Sequence, residues 1–123
     1  QWIQPEMRFL KWPFFRSNQK PKVTFAPARL IRTDSLEAGA LRLRSPLSRL
    51  GRAPDNDICL DNDTVSGHHA EIYYLPDGTF QICDIGSTNG TWVNGQRVRT
   101  AFLKNGDVME LGEVRLHFRT HGS

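Results

Sequence analysis

Residues 68–85, HHAEIYYLPDGTFQICDI, contain two predicted strands and the turn between them, and this stretch decides the fold class. Apolar or aromatic side chains occupy every second position from Ala70 to Tyr74, which is the period of a half-buried strand. A Pro-Asp-Gly turn at 76–78 separates this strand from the second one, at 79–85. Two adjacent strands joined by a tight turn favour a β-rich protein.

The same pattern continues along the chain on both sides of this stretch. Val114, Leu116 and Phe118, for example, alternate with polar side chains. The predicted strands cover residues 28–33, 39–44, 48–52, 57–60, 68–75, 79–85, 91–93, 97–99, 107–111 and 113–119. Asn-Gly turns lie between several of them, and no segment has a convincing helical period. Many short strands at close spacing predict an all-β protein, an antiparallel β-sandwich.

Length and composition exclude several classes of protein. The chain has 123 residues, which is enough for the core of one domain and not of two. With 38% hydrophobic and 24% charged residues, it is too apolar to be wholly disordered. No apolar run approaches the roughly 20 residues of a membrane-spanning helix. An immunoglobulin-type sandwich is excluded because no Trp lies between Cys59 and Cys83.

Charge divides the chain into two unlike parts. Residues 1–33 hold seven Lys/Arg and one Glu, a net of +6, whereas residues 34–123 hold nine Lys/Arg and twelve Asp/Glu, a net of −3. The basic balance therefore belongs to the N-terminal part. A nucleic-acid-binding domain is expected to carry its basic residues on a folded face, so we expect no nucleic-acid partner. Binding of nucleic acid through the basic N-terminal part stays open as an alternative.

Residues 1–27 form a predicted linker or docking arm. They contain six aromatic residues among scattered basic ones, and four prolines interrupt any regular element. The alternative is a membrane-proximal segment on an anionic lipid surface, which aromatic and basic residues together would suit. A start at Gln1 rather than Met leads us to expect a module of a larger protein, with residues 121–123 as a short tail.

The two cysteines, Cys59 and Cys83, lack the spacing of a metal site. We expect two buried, unpaired strand thiols in a reducing compartment, although the sequence leaves a disulfide open. The expected location is therefore cytoplasmic, or nuclear in a eukaryote, with the cytoplasmic face of a membrane as the variant that the N-terminal arm suggests. Neither a metal nor a cofactor is expected.

Polar residues gather in three predicted turns, at 51–52, 64–69 and 86–91. Because the turns of a sandwich cluster at its two ends, distant turns can share one surface. Together these turns offer a guanidinium, several hydroxyls, a carboxamide and backbone N–H groups near glycines. The set is rich in hydrogen-bond donors and lacks a pair of nucleophile and base, so we expect a binding module and not an enzyme.

Four ordered blocks of sequence closely resemble the forkhead-associated (FHA) domain family. They are GRAPDNDICL at 51–60, TVSGHHAEI at 64–72, DIGSTNGTWVNG at 84–95 and LKNGDVMELG at 103–112. The resemblance extends from about Arg29 to Phe118 and implies an FHA domain over residues 28–120. It also implies a β-sandwich of about eleven strands, of the FHA/SMAD-like kind, that binds phosphothreonine peptides through its loops.

The resemblance also implies which residues meet the peptide. The predicted phosphopeptide-binding set is Arg52, Thr64, Ser66, Gly67, Thr88 and Asn89. Arginine offers a planar fork of charged donors to the phosphate, and the serine hydroxyl donates without adding charge. Gly67 stands where some relatives carry a peptide-contacting Asn, so one side-chain contact is missing. A neutral Thr64, where some relatives carry a basic residue, puts an acidic preference three positions after the phosphothreonine in doubt.

A second set is implied to support the site without touching the ligand: Gly51, His69, Gly90 and Asn94. Gly51 is expected to let the backbone turn, and Gly90 and Asn94 to form turns. Ser66 and His69, three residues apart, resemble a catalytic nucleophile and its base. The resemblance to the family implies instead that His69 is a buried, structural histidine. Trp92 is expected in the core.

The predicted function is phosphothreonine-peptide recognition in a phosphorylation-dependent protein–protein interaction. The predicted partner is a threonine-phosphorylated protein or peptide. The alternative is a scaffold or self-association module that uses the same fold without phosphate.

Overall fold

The structure is a computed structural model that describes residues 23–33 and 39–120. The described residues form eleven strands and no helix. The strands are β1 (Phe25–Arg32), β2 (Ala40–Arg44), β3 (Leu47–Gly51), β4 (Ile58–Cys59), β5 (Ala70–Tyr74), β6 (Phe80–Asp84), β7 (Thr91–Val93), β8 (Gln96–Val98), β9 (Thr100–Leu103), β10 (Val108–Leu111) and β11 (Val114–Thr120). The predicted all-β class is confirmed.

Two sheets pack face to face as a sandwich. One has the strand order β9-β6-β5-β3-β4, and the other has the order β2-β1-β11-β10-β7-β8. All neighbours run antiparallel except β3 and β4, which pair in parallel through Leu50 with Ile58 and Gly51 with Cys59. The predicted sandwich is therefore confirmed, with one parallel pair that the strand periodicity did not reveal.

The core lies between the two sheets and is filled by alternate residues of the central strands. Leu30, Ile82 and Phe118 are wholly buried, from β1, β6 and β11 respectively. The ring of Phe80 contacts the edge of Phe118, with 5.2 Å between ring centroids, and stacks on Tyr74 at 4.7 Å. Such aromatic pairs add to the burial of apolar area and fix the two sheets against each other.

Strand β1 begins at Phe25, three residues before the predicted start. Its pairing with β2 shifts register between Phe25 and Arg29, which accommodates Pro27, a residue without an N–H to donate. The guanidinium of Arg42 lies 4.2 Å from the Phe25 ring centroid. The end of the predicted arm therefore belongs to the sheet, while its residues 1–22, and the predicted tail at 121–123, lie outside the described residues.

Three expectations about single elements were wrong. Strand β9 was not predicted because its sequence does not alternate between apolar and polar residues. Phe102 is 64% exposed, and Leu103 is the buried residue of the strand. Trp92 is half-buried on β7 and does not belong to the core. Both cysteines are free, as expected, but Cys59 is exposed and Cys83 only half-buried, since they occupy outward positions of their strands.

The described part of the chain contains no helix long and apolar enough to cross a membrane. It also holds no group of three or more potential metal ligands.

The buried Phe118 and the exposed Phe102 form a matched pair for testing the core. Phe118→Ala removes a fully buried ring from the sheet interface and is expected to lower the free energy of unfolding by about 3–5 kcal/mol. Phe102→Ala is expected to change it by less than about 0.5 kcal/mol, because the ring is already largely in water. Urea denaturation of both variants tests this difference. Equal losses of stability would contradict the placement of the core.

Candidate functional site

Four connections meet at one end of the sandwich, which we call the loop end. They are the β3–β4 loop (52–57), the β4–β5 loop (60–69), the β6–β7 loop (85–90) and the β10–β11 turn (112–113). Hydrogen bonds join them directly: Arg52 N donates to Ser66 O at 2.9 Å, and Thr88 N donates to Ser66 Oγ at 3.0 Å. Predicted turns far apart in sequence therefore form one surface.

The buried ring of His69 connects two of these loops. Ser66 N donates to His69 Nδ1 at 3.1 Å, and the opposite ring nitrogen, Nε2, donates to the carbonyl of Gly90 at 2.9 Å. Only the neutral tautomer with hydrogen on Nε2 satisfies both contacts. Burial lowers the pKa of His69, and the Gly90 carbonyl and nearby Asp84 oppose this only in part. The ring is therefore a neutral brace.

The same contacts exclude His69 as a base for Ser66. Its Nδ1 lone pair accepts the backbone N–H of Ser66, and Nε2 carries the hydrogen donated to Gly90. Ser66 Oγ instead accepts a hydrogen bond from Thr88 N. The serine hydroxyl hydrogen has no acceptor among the described residues, so the half-buried Ser66 keeps one hydrogen-bond donor available for a ligand.

Arg52 presents an unpaired guanidinium at the loop end. Its backbone is fixed by the bond to Ser66 O and by Cys59 Sγ, which donates to the Arg52 carbonyl at 3.3 Å. Its side chain is exposed and forms no ion pair with any described residue. The backbone of Arg52 is fixed, and its guanidinium is unpaired and permanently charged, so the residue is suited to bind an anion.

Gly51 is required for a different reason from the expected backbone turn. Its φ is not in the left-handed region, but a Cβ placed there would lie 2.3 Å from the carbonyl oxygen of Gly67 and 2.8 Å from Asn56 Nδ2. The β3 strand end and the β4–β5 loop approach too closely for any side chain. Gly67 itself has open space, since its nearest neighbour would be Ala53 Cβ at 4.0 Å.

Asn56 was not singled out from the sequence and proves to hold the β3–β4 loop. Its buried amide Nδ2 donates to Ala53 O at 2.8 Å and to Gly67 O at 2.7 Å. Its Oδ1 is buried without a hydrogen-bond partner. The bond to Gly67 spans eleven positions in sequence, and local patterns give no signal for such a contact.

Asp84, also not singled out, shapes the β6–β7 loop. Its carboxylate accepts hydrogen bonds from Gly86 N at 2.9 Å, Ser87 N at 3.0 Å, Ser87 Oγ, and Thr91 Oγ1 at 2.7 Å. Burial raises the pKa of Asp84, but these four bonds outweigh it and lower the pKa to about 2. With Gly86 and Gly90 at positive φ, the loop turns so that Thr88 and Asn89 stand exposed at its tip.

Thr64 joins three parts of the loop end. Its carbonyl accepts from Asn89 Nδ2 at 2.8 Å, its hydroxyl accepts from Glu113 N at 2.8 Å, and that hydroxyl donates to Asn62 Oδ1. A Cβ on Gly112, which lies at φ +58°, would meet the Thr64 carbonyl oxygen at 2.4 Å. The Thr64 hydroxyl is thus engaged within the protein.

Two further residues complete the surroundings of the predicted site. His68 lies beside it, exposed, with Nε2 at 3.1 Å from the carboxylate of Asp55, and a hydrogen bond from His68 lowers the pKa of Asp55. Asn94 does not reach the loop end. At φ +50° it forms the β7–β8 turn, and its Oδ1 accepts from Val108 N, where β10 begins at the opposite end of the sandwich. All the other predicted site residues lie at the loop end.

A β-sandwich that gathers a free guanidinium, outward hydroxyls and amides on braced loops defines a binding module for extended, anionic ligands. The sequence model of the FHA domain matches residues 48–112, more than half of the chain. The chain therefore belongs to the FHA domain family.

Relatives and solved structures agree with this membership. The glycogen accumulation regulator GarA of Mycolicibacterium smegmatis is 50% identical over 78 residues, which cover 63% of this chain and 49% of that relative. The chain thus spans about half the length of the regulators it matches. A solved structure from a structural and functional analysis of phosphothreonine-dependent FHA domain interactions is similar at TM-score 0.72 and 31% identity, covering 78% of this chain and 98% of that one.

The N-terminal FHA domain of Rad53p from S. cerevisiae, solved in complex with a phosphothreonine peptide, is similar at TM-score 0.70 and 26% identity. That similarity covers 78% of this chain and 94% of the yeast chain. An FHA domain solved with a phosphothreonine peptide therefore shares the fold.

The two glycines of the site give opposite expectations. Gly51→Ala places a Cβ against a backbone carbonyl and is expected to lower the free energy of unfolding by about 1–3 kcal/mol. Gly67→Ala, which meets open space, is expected to leave stability within about 0.5 kcal/mol of the wild type. Chemical denaturation of both variants measures the difference. A neutral Gly51→Ala would contradict the close approach of the two loops.

The buried, neutral His69 predicts a pH dependence of stability. Its folded pKa is lower than the unfolded value of about 6.5, so the unfolded chain binds more protons between the two values. His69 therefore does not reduce the free energy of unfolding above about pH 6.5. Below that value the free energy of unfolding falls as the pH decreases toward the folded-state pKa of His69. Denaturation at a series of pH values measures this slope in the wild type and in two variants, His69→Gln and His68→Gln.

His68→Gln, which removes an exposed imidazole, is expected to keep the slope that His69→Gln loses. If His69→Gln does not fold, NMR titration of the wild-type ring gives the same information. A His69 pKa at or above about 6.5 would contradict the neutral brace.

Proposed function

We propose that the loop end binds a phosphothreonine-containing peptide segment of a partner protein. The observation that carries this proposal is that Arg52, whose exposed guanidinium has no ion-pair partner among the described residues, is bonded through its backbone to Ser66, whose hydroxyl hydrogen is free to donate. The structural similarity to the Rad53p FHA domain, solved with a phosphothreonine peptide, and to an FHA domain with phosphothreonine-dependent interactions supports the same ligand class. Recognition of a phosphorylated motif by a small cluster of donors is an established way of binding peptides.

Each group contributes differently to holding the phosphate. Arg52 would supply two parallel charged hydrogen bonds to a dianion, and Ser66 Oγ would donate its free hydrogen. The Thr88 N–H already donates to Ser66 Oγ, so Thr88 would contribute its exposed hydroxyl. Because the loops are braced beforehand, little side-chain entropy other than that of Arg52 is lost on binding.

Asn89 would read the backbone of the extended peptide. Its Nδ2 is held by the Thr64 carbonyl, which fixes the side chain at the tip of the β6–β7 loop. Its Oδ1 then remains to accept an N–H from the ligand. Thr64 takes part through this contact, because its own hydroxyl is engaged by Glu113 and Asn62. Gly67 would leave the peptide room without adding a side-chain contact.

A module of this kind has no need of catalysis, and the engaged nitrogens of His69 support a binding role only. Relatives named as regulators support a place in phosphorylation-dependent regulation. The exposed, free thiol of Cys59 supports a reducing, cytoplasmic environment.

The first test measures peptide binding by fluorescence anisotropy. A degenerate phosphothreonine library is expected to bind with micromolar affinity, about −8 kcal/mol, whereas the same library with phosphoserine or unmodified threonine binds weakly or not at all. Arg52→Ala is expected to weaken binding by about tenfold or more, because it removes charged hydrogen bonds. Ser66→Ala acts in the same direction.

Arg119→Ala is the matched control for Arg52→Ala. It removes one arginine from β11 near the β9–β10 turn, at the opposite end of the sandwich, and is expected to leave binding unchanged. Thermal melts establish that each variant folds. Binding by a folded Arg52→Ala variant with undiminished affinity would favour the phosphate-independent scaffold instead.

The protonation state of the ligand gives a second test. The second pKa of a phosphate monoester is about 6, so the dianion that Arg52 prefers is lost in more acidic solution. Isothermal titration at about pH 5 is expected to give weaker binding than at about pH 7.5, with the protein verified as folded at both. Equal affinities would count against recognition of a dianion.

A further inference from the structure

A polar hollow lies beside the loop end, on the side of the sandwich where the two sheets have their edge strands β8 and β9. Its volume is about 310 Å³, and it is lined by Asp84, Gly86, Ser87, Arg97, Val98 and Arg99. Gly86 and Ser87 belong to the β6–β7 loop, whose tip carries Thr88 and Asn89. One loop therefore separates the proposed phosphothreonine site from this hollow.

The hollow carries two arginines without partners. Arg97 and Arg99 are exposed, and neither forms an ion pair with a described residue. The carboxylate that lines the hollow belongs to Asp84, and its oxygens already accept four hydrogen bonds from the β6–β7 loop and Thr91. Asp84 is therefore occupied as an acceptor, and two guanidinium forks remain available at the rim.

The side chain of Arg97 also packs against Gly90. The buried Gly90 leaves room for it: a Cβ at that position would lie 2.6 Å from Arg97 Nε and 3.1 Å from Trp92 Nε1. Trp92 is the cross-strand partner of Arg97 in the β7–β8 pair. The arginine thus packs over the base of the β6–β7 loop, and a positioned guanidinium loses less entropy when it binds an anion.

We propose that this hollow is a second anion subsite that takes a second phosphorylated residue of the same ligand. The inference rests on the proposed function, because the first phosphothreonine would anchor the peptide across the loop end. With the carboxylate of Asp84, the two arginines give the hollow a net charge of +1, so the number of acceptors and not charge alone favours phosphate. The three terminal oxygens of a phosphate can accept hydrogen bonds from both guanidinium groups, whereas the two oxygens of a carboxylate suit one of them. Once the first phosphothreonine is bound, the second phosphate is present at a high effective concentration, which the length of peptide between the two phosphates sets.

The test compares singly and doubly phosphorylated forms of one peptide. The starting probe is the tightest singly phosphorylated sequence from the phosphothreonine library, and a second phosphothreonine is placed at successive positions on either side. At one spacing, the wild type is expected to bind the doubly phosphorylated peptide about tenfold more tightly than the single form. A glutamate at the same position, which distinguishes carboxylate from phosphate, is expected to give a clearly smaller gain.

Two variants and one control locate the gain in affinity. Arg97→Gln/Arg99→Gln is expected to abolish it while leaving affinity for the singly phosphorylated peptide within about twofold of the wild type. Arg99→Gln alone leaves the packing of Arg97 on Gly90 intact. This variant is expected to lose part of the gain in affinity for the doubly phosphorylated peptide. Arg29→Gln/Arg119→Gln removes the same charge from a cross-strand pair of β1 and β11 and is expected to keep the full gain.

The outcomes separate the two proposals. If the wild type binds the single form but no spacing gives a gain, or if the gain survives in Arg97→Gln/Arg99→Gln, the second subsite is wrong and the proposed function stands. An equal gain from glutamate would overturn the assignment to phosphate. If no phosphorylated peptide binds the folded wild type, the proposed function and the subsite fall together.

Discussion

The loop end depends on one buried, neutral imidazole. His69 receives the N–H of Ser66 on one ring nitrogen and donates to Gly90 from the other, so it fixes the distance between two loops. The backbones of Arg52 and Thr88 are in turn bonded to Ser66, and through it to the same ring. Burial lowers the pKa of His69 and so keeps the ring neutral, and a neutral ring provides this brace without the cost of burying a charge.

Residues at the loop end fall into two groups according to how fully their hydrogen bonds are used. The polar side-chain atoms of Asp84 and Thr64 form hydrogen bonds within the protein, and these bonds set the shape of the loops. Arg52, Ser66 and Asn89 are bonded on the protein side and keep donors or acceptors toward solvent. The second group can therefore meet a ligand in a geometry that already exists, and this preorganisation favours affinity and specificity.

The sequence predicted the features that arise from local physics. Alternation predicted β5 and β11, and Gly90, which was predicted to form a turn, adopts a positive φ. It did not predict β9, whose Phe102 faces water against the usual burial pattern. The bonds from Asn56 to Gly67 and from Glu113 to Thr64 join positions eleven and forty-nine apart, so only the folded chain reveals them. Asp84 is different, because its partners are local, and an aspartate two residues before a Gly-Ser pair is a signal in the sequence itself.

A residue-by-residue map of the contact with the ligand shows whether the loop end binds phosphothreonine. We would titrate the isotope-labelled chain with one phosphothreonine peptide and follow the backbone amide signals by NMR, using its unmodified threonine form as the reference. We expect the phosphopeptide to shift the amide signals of the β3–β4, β4–β5 and β6–β7 loops, centred on Arg52, Ser66 and Asn89, while the unmodified peptide leaves them in place. Shifts confined to another face, or identical shifts with both peptides, would contradict phosphothreonine binding at the loop end.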